Sequence, residues 1–247
     1  MNWQETLDLL EKGMVRSASK IDGKWVANTE VKQAILAAFK AGELAQFPNG
    51  FVDKHNLPAR EFTPADKIRM VPGGSSVRRG AFVSQGVIIM PPAYINVGAY
   101  VDSGTMIDSH ALVGSCAQIG KNVHLSAGVQ IGGVLEPVGQ TPVVIEDNAF
   151  IGAGAVIVEG VQVSEGAVIA PGVVLSRSIP VYDCVKERVL DIGEPIPPYA
   201  VVVTGSRPVS ANLKWAGEQG LTLRCAMIIK YKDAKTSAAL ELESCLR

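Results

Sequence analysis

Little in this 247-residue chain marks it for a charged polymer or a membrane. Lys and Arg total 23 against 24 Asp and Glu, the formal net charge is −1, no long run of either sign occurs, and aromatics make up only 6%. A nucleic-acid surface needs a basic patch, so no nucleic-acid partner is expected. No apolar stretch approaches a membrane span, and the start MNWQETLDLLEK lacks the basic and apolar regions of a signal peptide. A cytoplasmic protein without a membrane partner is therefore expected. Cys116, Cys184, Cys225 and Cys245 lie far apart with no CxxC pair, which reads as a set of reduced thiols.

What the chain does have is a period of six. An aliphatic residue returns at every sixth position from Val83 to Ile131 and again, after a delay of eight residues, from Ile145 to Leu175. Two residues before each stands a small or β-branched one, as in Ala81, Ala99, Thr105, Ala149 and Ala167. This makes fifteen hexads. Six fits neither a helix nor a long strand, but it fits short strands joined by regular corners. Within each strand the period of two points the small and aliphatic residues inward and their neighbours outward. Three hexads make one triangular coil of 18 residues, so the series stacks into about five coils around an aliphatic core. Recurrent glycines such as Gly98, Gly104, Gly154 and Gly172 mark corners, and Cys116 sits at one, where packing is its expected role.

Three regions follow: residues 1–75 as a helical region and linker, 76–178 as the repeat, and 179–247 as a C-terminal α/β cap. Helices are expected around Trp3–Lys12 and from Glu30 to Lys40, the second with Thr29 as N-cap. Past Leu175 the period is lost. An irregular excursion over 176–198 precedes strands at Tyr199–Thr204 and Leu221–Lys230 and a closing helix over Asp233–Leu246.

The stretches YINVGAYVDSGTMIDS (Tyr94–Ser109), VGSCAQIGKNVHLS (Val113–Ser126), IGGVLEP (Ile131–Pro137), VVIEDN (Val143–Asn148), KIDGKWV (Lys20–Val26) and KDAKT (Lys232–Thr236) carry a resemblance. Together they resemble the tetrahydrodipicolinate N-succinyltransferase family of hexapeptide acyltransferases, with an N-terminus shorter than the family's usual one. The resemblance implies a left-handed parallel β-helix, a homotrimer with active sites at subunit interfaces, and acyl transfer from succinyl-CoA to a cyclic dicarboxylate in the diaminopimelate route to lysine. No permanently bound cofactor or metal is implied.

Such chemistry needs a cation for the acceptor's carboxylates and a base for its nitrogen. Arg69 matches the family's substrate-binding arginine, and its planar fork suits a carboxylate. Asp108, in TMIDS, matches the family's substrate-contacting aspartate, with the implied roles of orienting the nitrogen and accepting its proton. It follows an inward Ile107 and so faces outward, with Ser126 one coil later on the same wall. Asp102 holds the equivalent position on the adjacent wall, and sequence alone does not separate the two aspartates.

Among the histidines, His55 reads as solvated and His124 as an interface residue. His110 stands where the family has tryptophan and is a candidate acid–base or acceptor-site group. Their unrelated hexad positions disfavour a three-imidazole zinc site. The chain departs from the family at Gly154, Ala155 and Val156, where the family carries Arg-Ser-Glu, although Glu159 follows three residues later. That departure leaves acetyl-CoA open as the alternative donor. Gly154, Ala155, Val156, Ala170 and Gly172 are candidates for lining a CoA arm, and Lys230, Lys232 and Lys235 for meeting its phosphates.

Overall fold

A computed structural model describes residues 2–232. The expected closing helix over Asp233–Leu246, with Lys235 and Cys245, lies outside the described residues. The repeat forms the left-handed parallel β-helix, each hexad supplying a two-residue strand and a corner. The strands stack into three flat walls. The first wall carries Phe82–Val83, Tyr100–Val101, Gln118–Ile119, Val144–Ile145 and Gln162–Val163. The second carries Arg69–Met70, Ile88–Ile89, Met106–Ile107, His124–Leu125, Phe150–Ile151 and Val168–Ile169. The third carries Ser76–Val77, Tyr94–Ile95, Leu112–Val113, Gln130–Ile131, Val156–Ile157 and Val174–Leu175. Partners such as Val83 and Val101 stand 101 − 83 = 18 residues apart, one coil.

Burial follows the predicted alternation. Ile89, Ile107, Ile119, Leu125 and Ile157 are all 0% exposed, while the strand residues before them are mostly half-buried. Thr105, the polar member of the small inward set, is also 0% exposed and fully used: its hydroxyl donates to the Gly120 carbonyl (2.8 Å) and accepts from the Val123 amide (3.0 Å). Backbone dihedrals show the same period. A left-handed residue recurs at Gly98, Gly104, His110, Cys116, Asn122 and Gly128, so the corner geometry is imposed even where no glycine stands.

The ladder is longer than the hexad count suggested. Arg69–Met70 already pairs with Ile88–Ile89, ahead of residue 76, and Val77 is fully buried in the core. After Leu175 the coil resumes at Ile196, which bridges Val163, and at Val202, which pairs with Ile169. The excursion between them hid this because its residues follow other geometry, including the short strands Val181–Asp183 and Arg188–Val189. Strands Ala200–Pro208 and Thr222–Tyr231 form the antiparallel hairpin that extends the second wall, the first longer than the expected segment and the second shifted by one residue from it. It is pinned by the Tyr231 hydroxyl, which donates to Asp183 Oδ2 at 2.5 Å. Burial, then this bond, pushes the Tyr231 phenol up to about 12.

At the N-terminus α1 (Trp3–Glu11) and α2 (Thr29–Ala41) lie near the expected bounds, but Asn28 rather than Thr29 caps α2, accepting from the Val31 amide. Two hairpins went unpredicted. Ala18–Ile21 pairs with Lys24–Ala27 around Asp22-Gly23, both at positive φ, and Leu44–Gln46 pairs with Val52–Lys54. The Asp-Gly pair is the hairpin signal the sequence did contain. The helices pack on the corner between the third and first walls, where Leu7, Ile35, Leu57, Val97 and Cys116 form a second core. Burial raises the Cys116 thiol to about 11, which leaves it a packing residue.

Candidate active site

The second wall collects the residues singled out for substrate. Its outward column before the inward aliphatics runs Arg69, Ile88, Met106, His124, Phe150, and the column after them includes Asp108 and Ser126. Arg69 and Asp108 are two rungs apart, about 10 Å at the usual strand spacing. The Asp108 carboxylate turns its Oδ1 back to accept from the Ser109 amide at 2.7 Å. Its Oδ2 faces His124 Nε2 at 4.0 Å, and the His124 ring meets the edge of Phe150 with centroids 5.2 Å apart.

The two aspartates that sequence left equivalent stand on different walls. Asp102 makes the same local bond, to the Ser103 amide at 2.7 Å, but its wall is covered by the Ala18–Ala27 hairpin. There the Arg16 guanidinium lies 3.7 Å over the Tyr100 ring and 5.3 Å from Trp25, donating to Gln118 Oε1 at 2.8 Å. Glu146 accepts from Lys20 (2.6 Å) and from the Trp25 indole (2.8 Å). Burial alone would raise the Glu146 carboxyl, but these bonds outweigh it and the net shift is downward.

Between the second and third walls the left-handed corner residues run His110, Gly128, Gly154, Gly172. A Cβ on Gly154 or Gly172 would meet nothing within 4 Å, so the corner below the exposed His110 is an open glycine track. Gly128 belongs to this track; from sequence it reads as a corner glycine but not as a candidate for the CoA arm. The register from Gly154, 154 − 128 = 26 or one coil plus the eight-residue insertion, was the available signal. Val156 faces outward on the third wall.

Two candidates are corrected. Ala155 is 0% exposed and points into the core, so it offers a ligand no side-chain surface. Ala170, 4% exposed, packs into the same core beneath the hairpin that extends the wall. Lys230 lies on that hairpin opposite Val201, and the Lys232 amide donates to the Tyr199 carbonyl. His55 Nδ1 accepts from the Glu43 amide in the N-terminal region, away from the second wall. Glu159 accepts from the Arg177 amide at 3.0 Å, a bond between coils.

Two hollows lie away from this wall. One of about 760 Å³ sits between Gly139–Thr141 and the excursion, lined by Arg177 and Arg207, and one of about 340 Å³ lies under the hairpin on the first wall. Among the described residues no group of three or more His, Cys, Asp or Glu could hold a metal, and no helix is long and apolar enough to cross a membrane.

Residues 3–41 match the family described as tetrahydrodipicolinate N-succinyltransferase N-terminal, and residues 142–177 match the hexapeptide repeat of succinyl-transferase. Curated relatives include the 2,3,4,5-tetrahydropyridine-2,6-dicarboxylate N-succinyltransferases of Tolumonas auensis and Paraburkholderia phytofirmans. The first is 42% identical over 85 residues, covering 32% of this chain and 30% of the relative. The second is 46% identical over 85 residues, covering 31% and 30%. The chain thus matches less than a third of the length of either relative. A crystal structure from Campylobacter jejuni, described as a 2,3,4,5-tetrahydropyridine-2-carboxylate N-succinyltransferase, superposes with a TM-score of 0.49 at 17% identity, covering 92% of this chain and 62% of that one. The family and sequence matches show the resemblance to tetrahydrodipicolinate N-succinyltransferases.

Proposed function

We propose that this chain is a cytoplasmic acyltransferase that moves a succinyl group from succinyl-CoA to the nitrogen of tetrahydrodipicolinate or a near relative, in the diaminopimelate route to lysine. The observation that carries the reading is the alignment of Arg69 and Asp108 on one uncovered wall beside an open glycine corner. The Arg69 fork grips an acceptor carboxylate. Once water has added across the acceptor's ring C=N bond and given the nitrogen a hydrogen, Asp108, its Oδ1 already held by Ser109, presents Oδ2 to that nitrogen, orients it and takes its proton as the N–C bond forms and the C–S bond breaks. The track Gly128, Gly154, Gly172 gives a pantetheine arm room along the coil axis, and Lys230 and Lys232 stand at the end of that wall toward the phosphates. A cleft needs two sides and one chain supplies a flat wall, so a homotrimer that sets a second subunit against the second wall completes the site.

The test is an initial-rate comparison of succinyl-CoA and acetyl-CoA with tetrahydrodipicolinate, following thiol release. A large preference for succinyl-CoA supports the reading. Preference for acetyl-CoA makes Gly154–Val156 a change of donor selectivity, and absence of turnover with both overturns the acyltransferase assignment for this acceptor.

A further inference from the structure

We propose that His124 is the proton-holding partner of Asp108, so that an aspartate–histidine pair, not a lone carboxylate, performs the acid–base work on the second wall. The inference rests on the acyltransferase reading and extends it to a residue whose sequence position suggested only an interface role.

The His124 side chain is 39% exposed, yet its Nε2 is enclosed and makes no hydrogen bond among the described residues. An enclosed ring nitrogen without a partner is costly and persists where it has a use. The nearest opposite charge is Asp108 Oδ2 at 4.0 Å, which a small rotation of either side chain brings into hydrogen-bond range. Asp108 is built for this orientation. Its Oδ1 is tied to the Ser109 amide, so Oδ2 alone is left to face both the wall's surface and the imidazole. The ring makes an edge contact with Phe150 on the rung to one side, and Met106 holds the neighbouring rung on the other. Among the described residues, Asp108 is the ionisable group found in ion-pair range of the ring. Met106, Phe150 and Ser126, its neighbours on the wall, carry no charge.

Because Nε2 is enclosed, substrate does not touch it, and His124 acts through Asp108 as a positioning residue. Water adds across the acceptor's ring C=N bond and leaves the nitrogen with a hydrogen; that proton passes to Asp108 Oδ2 and on to His124 Nε2 as the N–C bond forms. When the C–S bond breaks, the same proton returns through Asp108 to the departing sulfur. One proton leaves nitrogen and one arrives on sulfur, with no change of oxidation state.

The experiment compares kcat, KM and the pH–rate profile for wild type, His124→Gln, Asp108→Asn and the double variant. His124→Gln should lower kcat about 100-fold with KM for both substrates within about twofold, and should remove one ionisation from the kcat profile. The double variant should be no slower than Asp108→Asn, since the two residues act as one unit. Wild-type kcat and an unaltered profile in His124→Gln, with Asp108→Asn impaired, overturn the pairing. If wild type releases no thiol from either acyl-CoA, or His124→Gln fails to fold, NMR of the His124 ring in wild type and Asp108→Asn decides instead. A titration curve that moves between the two establishes the coupling, and identical curves overturn it.

Discussion

Two corners of the same triangular coil are made from the same hexad position and have opposite surroundings. At the corner between the third and first walls, a Cβ on Gly98 would meet Ile35 Cδ1 at 2.8 Å, Ser17 Oγ at 2.9 Å and Cys116 Sγ at 3.0 Å. At the corner between the second and third walls, a Cβ on Gly154 or Gly172 would meet nothing within 4 Å. The adjoining walls differ in the same sense. Asp102 lies beside a cluster whose guanidinium and carboxylate have found protein partners, while Asp108 faces a ring nitrogen that has none. The left-handed backbone favours glycine at both corners, though Cys116 and His110 also adopt it there, but at the first glycine also admits a helix, and at the second it leaves space. The repeat therefore supplies interchangeable positions, and the attachment of the N-terminal region decides which of them hold the structure together and which remain for chemistry.

The sharpest way to break the comparison is at the two aspartates. Asp108→Ala should reduce thiol release at least about 100-fold, whereas Asp102→Ala should keep kcat within a few fold, measured by the same initial-rate assay. At the corners, Gly98→Ala should destabilise by about 2–4 kcal/mol in denaturant unfolding, because a new methyl meets Ile35, Ser17 and Cys116 and the backbone is left-handed. Gly154→Ala carries only the backbone strain, about 1 kcal/mol, and should raise KM for the acyl-CoA more than it changes stability.

Acid should reveal Asp183, the buried carboxylate of the excursion strand that pairs with the C-terminal hairpin. Burial works to raise Asp183, but bonds from the Tyr231 hydroxyl and the Lys186 and Val185 amides outweigh it, and the carboxyl ends below its ordinary value. A folded value below the unfolded one means the stabilisation is present above the ordinary carboxylate range near pH 4 and is lost as pH falls through the folded value. Asp183→Asn should flatten that acid limb in melting temperature against pH. Smallest of all, Glu146→Gln should cost less than about 1 kcal/mol, since Lys20 is 46% exposed and such pairs are screened.

The coil was legible because a stacked repeat writes its core into the sequence at fixed spacing, and Val83 through Leu175 needed no other information. Its ends were not. Met70 and Val202 belong to the ladder, but a proline-rich linker and a 20-residue excursion (176–195) break the series before each is reached. For the site, the outward direction of Asp108 and its shared wall with Ser126 followed from period two, while its distinction from Asp102 depended on what covers each wall. His124 read as an interface residue, because an outward residue next to an inward leucine looks like surface. Only the enclosure of Nε2 and its distance to Asp108, both products of tertiary packing, mark it. Ala155 shows the converse, since its inward position was readable from the hexad that placed it.

Both long departures from the coil, 132–142 and 176–195, leave the third wall and rejoin on the first. The wall-to-wall hydrogen bonds of every other rung are untouched by them. This one edge is thus a tolerated port for added sequence, where a peptide tag or a small domain grafted at Gly139, which has open space around it, would ride outside the ladder. The same graft at the glycine track would lie across the wall that carries Asp108. Added length and the proposed chemistry lie along separate edges of one prism.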